Sequence, residues 1–411
     1  MRAYCISLVL VVWVEEQSAM INEVQAEIWK HQGGTTEERR RNEALLDEYD
    51  PGQYPVNITG YNGMNLQEIA LWHRRRAVRT RVGGKGNYKA GMALCNDGAI
   101  LLAACRKINE QATCRVLLYR STDCGTTWKE LEVQTELWGK EPALAWLSDG
   151  TLLMTVEPLR VPVADVTQTV IYRSEDDGAS WRPHVYDGYG VPRNFLVEAN
   201  GNVAFARPKA PGFLASRYEK EGKAYQPSSN LELWRSTDSG DTWEITDGEI
   251  QWDHDDFAEI SLVRLPDGRL LASLRGNPQG TTGEGEEVTW LSESADEGAT
   301  WSSPRIMSNV GEVHFHLLLL RDGRLLATYS NYHLPFGSYA IISDDLGSNW
   351  HIDAPIQLSL SNGIYVGWPV SLQLADGSII TSYTSTSYAQ QEPQRERTVC
   401  ETVRWTLPAR E

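Results

Sequence analysis

Over most of its length the chain repeats one pattern: a short apolar run, an Asp-Gly or Asn-Gly pair, and a second apolar run. The pairs are Asp97-Gly98, Asp149-Gly150, Asn200-Gly201, Asp267-Gly268, Asp322-Gly323 and Asp376-Gly377, spaced 51 to 67 residues apart. Such dipeptides between apolar runs mark β-hairpins, because they tolerate the left-handed backbone a tight turn needs. A second repeat, Ser-x-Asp-x-Gly-x-x-Trp, alternates with the first. It occurs at Ser121–Trp128, Ser174–Trp181, Ser236–Trp243, Ser294–Trp301 and Ser343–Trp350. Each copy follows a short apolar strand such as Val116–Arg120 or Tyr339–Ile342. Its Ser and Asp side chains are suited to bond the turn's own backbone, with Trp packed beneath. Each period therefore holds about four strands.

Four strands repeated radially predict an all-β chain, a six-bladed β-propeller of four-stranded antiparallel blades over residues 53–411. Blade six has apolar runs near 367–374, 378–385 and 398–405, and the chain then ends without a sixth Ser-x-Asp turn. Its missing strand is expected from Tyr54–Thr59, which would close the ring and leave no free sheet edge.

The residues ahead of the ring read differently. The run 3–14, AYCISLVLVVWV, follows Arg2 and fits the apolar region of a secretory signal over residues 1–19, with Gln17-Ser18-Ala19 as the cleavage site. It is too short to span a bilayer, and no other stretch is long enough. Secretion is the expectation, and Asn57-Ile58-Thr59 is then a glycosylation sequon. Residues 20–52 read as a short helical or disordered leader. Cysteines stand at 5, 95, 105, 114, 124 and 400. Cys105 and Cys114 flank a hairpin connection and either pair in an oxidising compartment or stay buried thiols. No spacing suggests a metal site, and no cofactor is expected.

Composition narrows the partners. Apolar residues are 41%, charged residues 23% and the net charge −17, which describes a globular chain without the basic face nucleic acid requires. No membrane span and a monomer are expected. Tryptophan is abundant, 15 against 6 Phe, and five of the 15 close the Ser-x-Asp turns.

Register places candidate chemistry. Eight residues before each Asp or Asn of the hairpin pairs stand Lys89, Glu141, Pro192 (with Arg193 beside it), Glu259, His314 and Trp368. Eight residues after stand Cys105, Glu157, Pro208, Arg275, Ser330 and Thr384, with Arg106 and Arg207 adjacent. Equivalent offsets should ring one mouth of the propeller. A strand that must bury apolar side chains gains nothing from Lys, Glu or Arg at such places, so a converging set marks a candidate site.

The Asp-box repeats resemble those of the sialidase (neuraminidase) superfamily over residues 53–408. That resemblance implies a six-bladed propeller with three arginines for a substrate carboxylate, a tyrosine nucleophile activated by a glutamate, and an aspartate acid/base. Glu259 in AEISLVRLPDG and Arg275 in LLASLRGN match the family's glutamate and one arginine. Lys89 replaces the first arginine and loses its bidentate fork. The stretch holding Ser338 and Tyr339 has no arginine. Trp368 stands where the tyrosine is expected, with Tyr365 nearby, and Glu110 is the only acid in the loop for the aspartate.

These departures point to a sialidase-like glycoside hydrolase acting on an oligo- or polysaccharide with a non-standard, acidic sugar among the options. Glu259 is the expected base or nucleophile, with Glu141 or Glu157 as its partner carboxyl. Lys89, Arg275, Arg193, Arg106, His314 and Trp368 are the expected substrate-binding residues. Fungal exo-arabinanases resemble this plan, with two glutamates on a six-bladed ring. Two alternatives stay open. One is a glycan-binding propeller without catalysis. The other is a uronate lyase using His and Tyr beside an Arg, drawing on His314, His316 and His333; His314 and His316, with Asp253, Asp255 and Asp256 nearby, are instead placed for a base or a metal. The long connection 207–230 reads as a lid or a surface insertion.

Overall fold

The computed structural model describes residues 57–58, 78–108, 113–158, 161–165, 167–210, 219, 228–250, 257–278, 286–333, 337–359, 367–386 and 398–407. The signal region, the leader, Thr59, Glu110, Asp253, Asp255, Asp256, Tyr365 and nearly all of the connection after Ala210 lie outside the described residues.

Six sheets form the blades, each with four antiparallel strands; Thr300–Trp301 adds to the outer edge of blade three in parallel, opposite Glu249–Ile250. Their inner strands are Asn87–Leu94, Lys140–Trp146, Leu196–Val197, Ala258–Arg264, Glu312–Leu319 and Gly367–Gln373. Blades one to five take their remaining strands in sequence order. The apolar runs pack blade against blade. One such cluster joins Ala93, Leu101, Leu118, Leu152 and Tyr172 of blades one and two, and another joins Leu262, Leu270, Leu233 and Trp301 of blades three and four.

Blade six closes the ring with a strand from the other end of the chain, as expected, but not with the expected segment. Val78–Val82 pairs with Thr398–Trp405, with Val78 opposite Arg404 and Val82 opposite Cys400. Asn57–Ile58 pairs instead with Ile356–Gln357 at the edge of blade five. The arginines in VRTRV conceal a strand that has Val82 fully buried and Arg79 almost so. Arg79 tolerates burial because its Nη2 donates to the Leu358 carbonyl at 2.7 Å. Val78–Val82 also ends four residues before blade one begins, so one short turn links closure to the first inner strand.

The two turn repeats carry the local stresses. In all five Asp-boxes the Ser Oγ accepts the Gly N–H at 2.8–3.1 Å and donates to the Asp carboxylate. The residue before that Gly is left-handed in each copy: Cys124, Asp177, Ser239, Glu297 and Leu346, at φ of 56–58°. In the other repeat Gly268 sits at φ 92°, and a Cβ there would meet nothing within 4 Å. Backbone angle, not space, requires that glycine.

The five cysteines within the described residues are free thiols. Cys105 stands opposite Val116, and Cys114 opposite Lys107, so the two are diagonal neighbours rather than a cross-strand pair. Tyr88 fills the space between them, with its hydroxyl 3.0 Å from Cys114 Sγ.

Candidate active site

Ten non-glycine residues among those described have positive φ. Five are the Asp-box residues. The other five are Lys89, Glu141, Glu259, His314 and Trp368, at φ of 45–58°. They are the residues at one offset from the hairpin pairs in five different blades. Each lies in a break of register between the first two strands: between Tyr88 and Gly91, Lys140 and Ala143, Ala258 and Ser261, Val313 and His316, and Gly367 and Val370. A bulge of this kind re-aims a side chain at the rim of a closed sheet. A left-handed backbone costs such residues roughly 1–2 kcal/mol each. Proline cannot take that angle, so in blade three Arg193 serves instead, with its N–H donating to the Ile260 carbonyl at 2.7 Å.

These bulges bring side chains from all six blades together on the axis. Lys89 Nζ forms an ion pair with Glu141 and sits 3.9 Å from the centroid of the Trp368 ring. Lys140 Nζ holds Glu157 at 3.0 Å. Arg275 Nη1 reaches Glu259 Oε1 at 3.0 Å and His314 Nε2 at 2.8 Å, and its Nη2 reaches Glu287 at 2.7 Å. His314 Nε2 lies 3.2 Å from Glu259 Oε2, and His314 Nδ1 lies 3.0 Å from Ser330 Oγ. Arg193 Nη2 crosses to the Pro369 carbonyl at 3.2 Å.

The expected set thus converges with two exceptions and one change of role. Arg106 is turned aside to Asn87 Oδ1 at 2.9 Å and does not join the cluster. Arg207, its counterpart in blade three, is held by Glu232, Thr169 and the Gly188 carbonyl. Trp368 is 5% exposed and its ring is engaged by Lys89 and His314, so it supports the cluster rather than offering a free stacking face. Three participants escaped the sequence reading. Glu287 precedes a strand, Lys140 stands one place before the chosen offset, and Tyr332, 3.4 Å from His314 Nε2, lies just beyond the end of a strand. Counting the paired residue just before each bulge would have found Lys140.

Neighbouring charges split the carboxyls, both of which burial pushes up. For Glu141, burial pushes the pKa up, but Lys89, Lys140 and Arg193 outweigh it and bring the group down to about 2. For Glu259, burial dominates, Arg275 opposes it and the Glu141 charge adds to it, so the group is raised from its ordinary value. The two titrate as a pair, one favouring the ion and the other the acid.

Two histidines are held neutral. His314 is driven well below its ordinary value by burial, then by Arg275, Arg193 and Lys89. His316 falls to about 3, through burial and Arg193. Its Nδ1 accepts the Ser371 N–H at 3.4 Å. The unfolded chain takes up a proton near pH 6.5 that folded His316 refuses. Its stabilising contribution is therefore present above about pH 6.5 and is lost as pH falls toward 3. Urea unfolding across that window should show wild type losing about 1.4 kcal/mol per pH unit more than His316→Gln. Parallel curves for the two proteins would place His316 in a solvated site.

A cavity of about 1080 Å³ continues along the axis below the cluster. Its walls are largely small or aliphatic, including Gly91, Ala143, Ala145, Val263 and Leu372, and Arg193 and His316 also face it. Glu141, Glu259 and Arg275 are not among its lining residues. The candidate carboxyls therefore stand near the starts of the inner strands, outside this cavity, and Arg193 lines it.

No family model and no curated protein matches the chain. Solved structures do. A protein of unknown function from Dyadobacter fermentans aligns at a TM-score of 0.59 and 20% identity, covering 81% of this chain and 98% of its own. An α-L-arabinanase from Penicillium chrysogenum, solved with arabinobiose, aligns at 0.55 and 15% identity, over 77% of this chain and 92% of its own. The NanB sialidase from Streptococcus pneumoniae aligns at 0.52 and 12% identity, over 84% and 73%. The chain has the six-bladed propeller fold that these arabinanase and sialidase structures share.

Proposed function

We propose that this propeller is a glycoside hydrolase for a neutral sugar, with Glu141 as the ionised carboxylate and Glu259 as the acid. The observation that carries the reading is the opposite titration of two buried carboxyls at strained positions of one ring. Glycoside cleavage needs that division: one carboxyl protonates the departing oxygen while the other, as carboxylate, attacks the anomeric carbon or activates water. The charges favour the reverse of the roles expected from sequence, where Glu259 was the base or nucleophile.

Three of the four site cations are committed to carboxylates, which supports a neutral substrate; Arg193 is the exception, with Nη2 on the Pro369 carbonyl and Nε without a partner. Lys89 is paired with Glu141, Lys140 with Glu157, and Arg275 with both Glu259 and Glu287. A substrate carboxylate would have to break these pairs, and freeing a buried charge is costly. The arabinanase likeness agrees with a neutral pentose. A uronate lyase is disfavoured, since Arg275 and Ser330 occupy both ring nitrogens of His314 and leave neither to take a substrate proton.

Purified protein should release sugar from an aryl α-L-arabinofuranoside or from arabinan, and little from a sialoside or an aryl glucuronide. Turnover of the acidic substrates alone would overturn the neutral assignment. Saturable binding of arabino-oligosaccharides without any release would replace the hydrolase with a glycan-binding propeller.

A further inference from the structure

We propose that His314, seated by Ser330, is a positioning residue that holds the acidic proton on Glu259. The inference rests on the hydrolase reading for its purpose but on independent geometry for its content.

The hydrogen bonds around His314 leave one arrangement. A guanidinium can only donate. Arg275 Nη1 lies 2.8 Å from His314 Nε2, so Nε2 must accept and carries no proton. The neutral ring then bears its proton on Nδ1, which donates to Ser330 Oγ at 3.0 Å. Ser330 Oγ also accepts the Trp368 N–H at 3.1 Å, which fixes the hydroxyl oxygen in place. The ring cannot turn away, because Trp368 lies over it at a centroid distance of 4.2 Å. Gly367 makes room for the hydroxyl: a Cβ there would stand 1.6 Å from Ser330 Oγ.

Glu259 completes the arrangement. Its Oε1 accepts from Arg275, while its Oε2 is sealed from solvent and has no hydrogen-bond partner as an ionised oxygen. That Oε2 faces His314 Nε2 at 3.2 Å. Two lone pairs so placed repel, and an unsatisfied buried acceptor is costly. A proton on Oε2 turns the contact into an O–H···N bond that shares the single Nε2 lone pair with the shorter Arg275 N–H. The proton does not rest on Nε2, because an N–H there would point at the Arg275 donor.

The surrounding charges act in the same sense. Arg275 faces His314 from blade four, Tyr332 from blade five, and Arg193 and Lys89 act across the axis from blades three and one. These three cations oppose an imidazolium. Around Glu259, Glu141 opposes a second carboxylate, while Arg275, Arg193 and Lys89 favour one.

Carboxyl NMR on full-length protein labelled with 13C at glutamate side chains tests this without a substrate. One glutamate should remain protonated at neutral pH, and its signal should vanish in Glu259→Gln. In His314→Phe that carboxyl should titrate at least about one pH unit lower, a tenfold change in proton affinity. His314→Gln, which keeps an acceptor, should restore much of the shift. Imidazole 15N shifts of wild type should report the Nδ1–H form of His314, whether or not any variant folds. The opposite tautomer, or a Glu259 that titrates in the ordinary range, would overturn the proposal. Glycoside turnover with an ordinary Glu259 would sink this inference and leave the hydrolase reading standing. A protonated Glu259 in a protein that cleaves no glycoside would do the reverse.

Discussion

Glu259→Gln is expected to lower kcat on an unactivated disaccharide by something on the order of 10²–10⁴-fold, the usual worth of a general acid. On an aryl glycoside with a good leaving group the loss should be far smaller, because such a group departs without protonation. The alkaline limb of the pH profile should disappear with the acid. Glu141→Gln should fail on both substrates, since neither leaving group supplies a nucleophile or base. The contrast between substrates is what separates the two roles. Equal losses on both substrates for Glu259→Gln would exchange the assignments or remove Glu259 as the acid. Neither variant should raise KM much if these groups act chiefly in the transition state.

A comparable loss is expected in stability from Trp405→Ala. Trp405 is fully buried in the strand that Val78–Val82 clasps to close the ring. It packs in one cluster with Leu326, Ala340, Ile342 and Ile356 of blade five and Tyr383 of blade six, and its Nε1 donates to Thr381 Oγ1 at 3.0 Å. Truncating a buried Trp to Ala costs about 3–5 kcal/mol. Urea unfolding should show a lowered midpoint with little change in slope. A drop in slope instead would mean that blade six opens separately from the rest. Unchanged stability would place closure elsewhere.

The fold was largely legible because its punctuation is local. Gly268 needs a left-handed angle whatever surrounds it, and Ser236 and Asp238 bond a turn only a few residues away. Those demands are written in short windows, so six blades can be counted without coordinates. Closure was less legible. Tyr54–Thr59 looks more strand-like than VRTRV, and only the distant Leu358 carbonyl explains why Arg79 can be buried. The site was legible by position and not by role. Register found Glu141, Glu259 and His314, but Glu287 and Tyr332 fall outside the counted offsets.

Both repeats strain the backbone, and comparing them shows where sequence stops. The Asp-boxes repeat a geometry and repeat its chemistry, so they are scaffold. The axial bulges repeat a geometry with different chemistry in each blade: Lys89, Glu141, Glu259, His314 and Trp368. That difference can be read from the chain alone, and with it the six blades and the ring of candidates. The protonation of those candidates cannot be. Glu141 and Glu259 are the same residue type at the same offset, and burial raises both; they differ because Lys89 and Lys140 flank one while the Glu141 charge and His314 face the other. Lys140 is a chain neighbour of Glu141, but Lys89, and for Glu259 both Glu141 and His314, come from other blades, dozens of residues away. Charge in a buried site depends on distance through space, and closing the ring is what sets those distances.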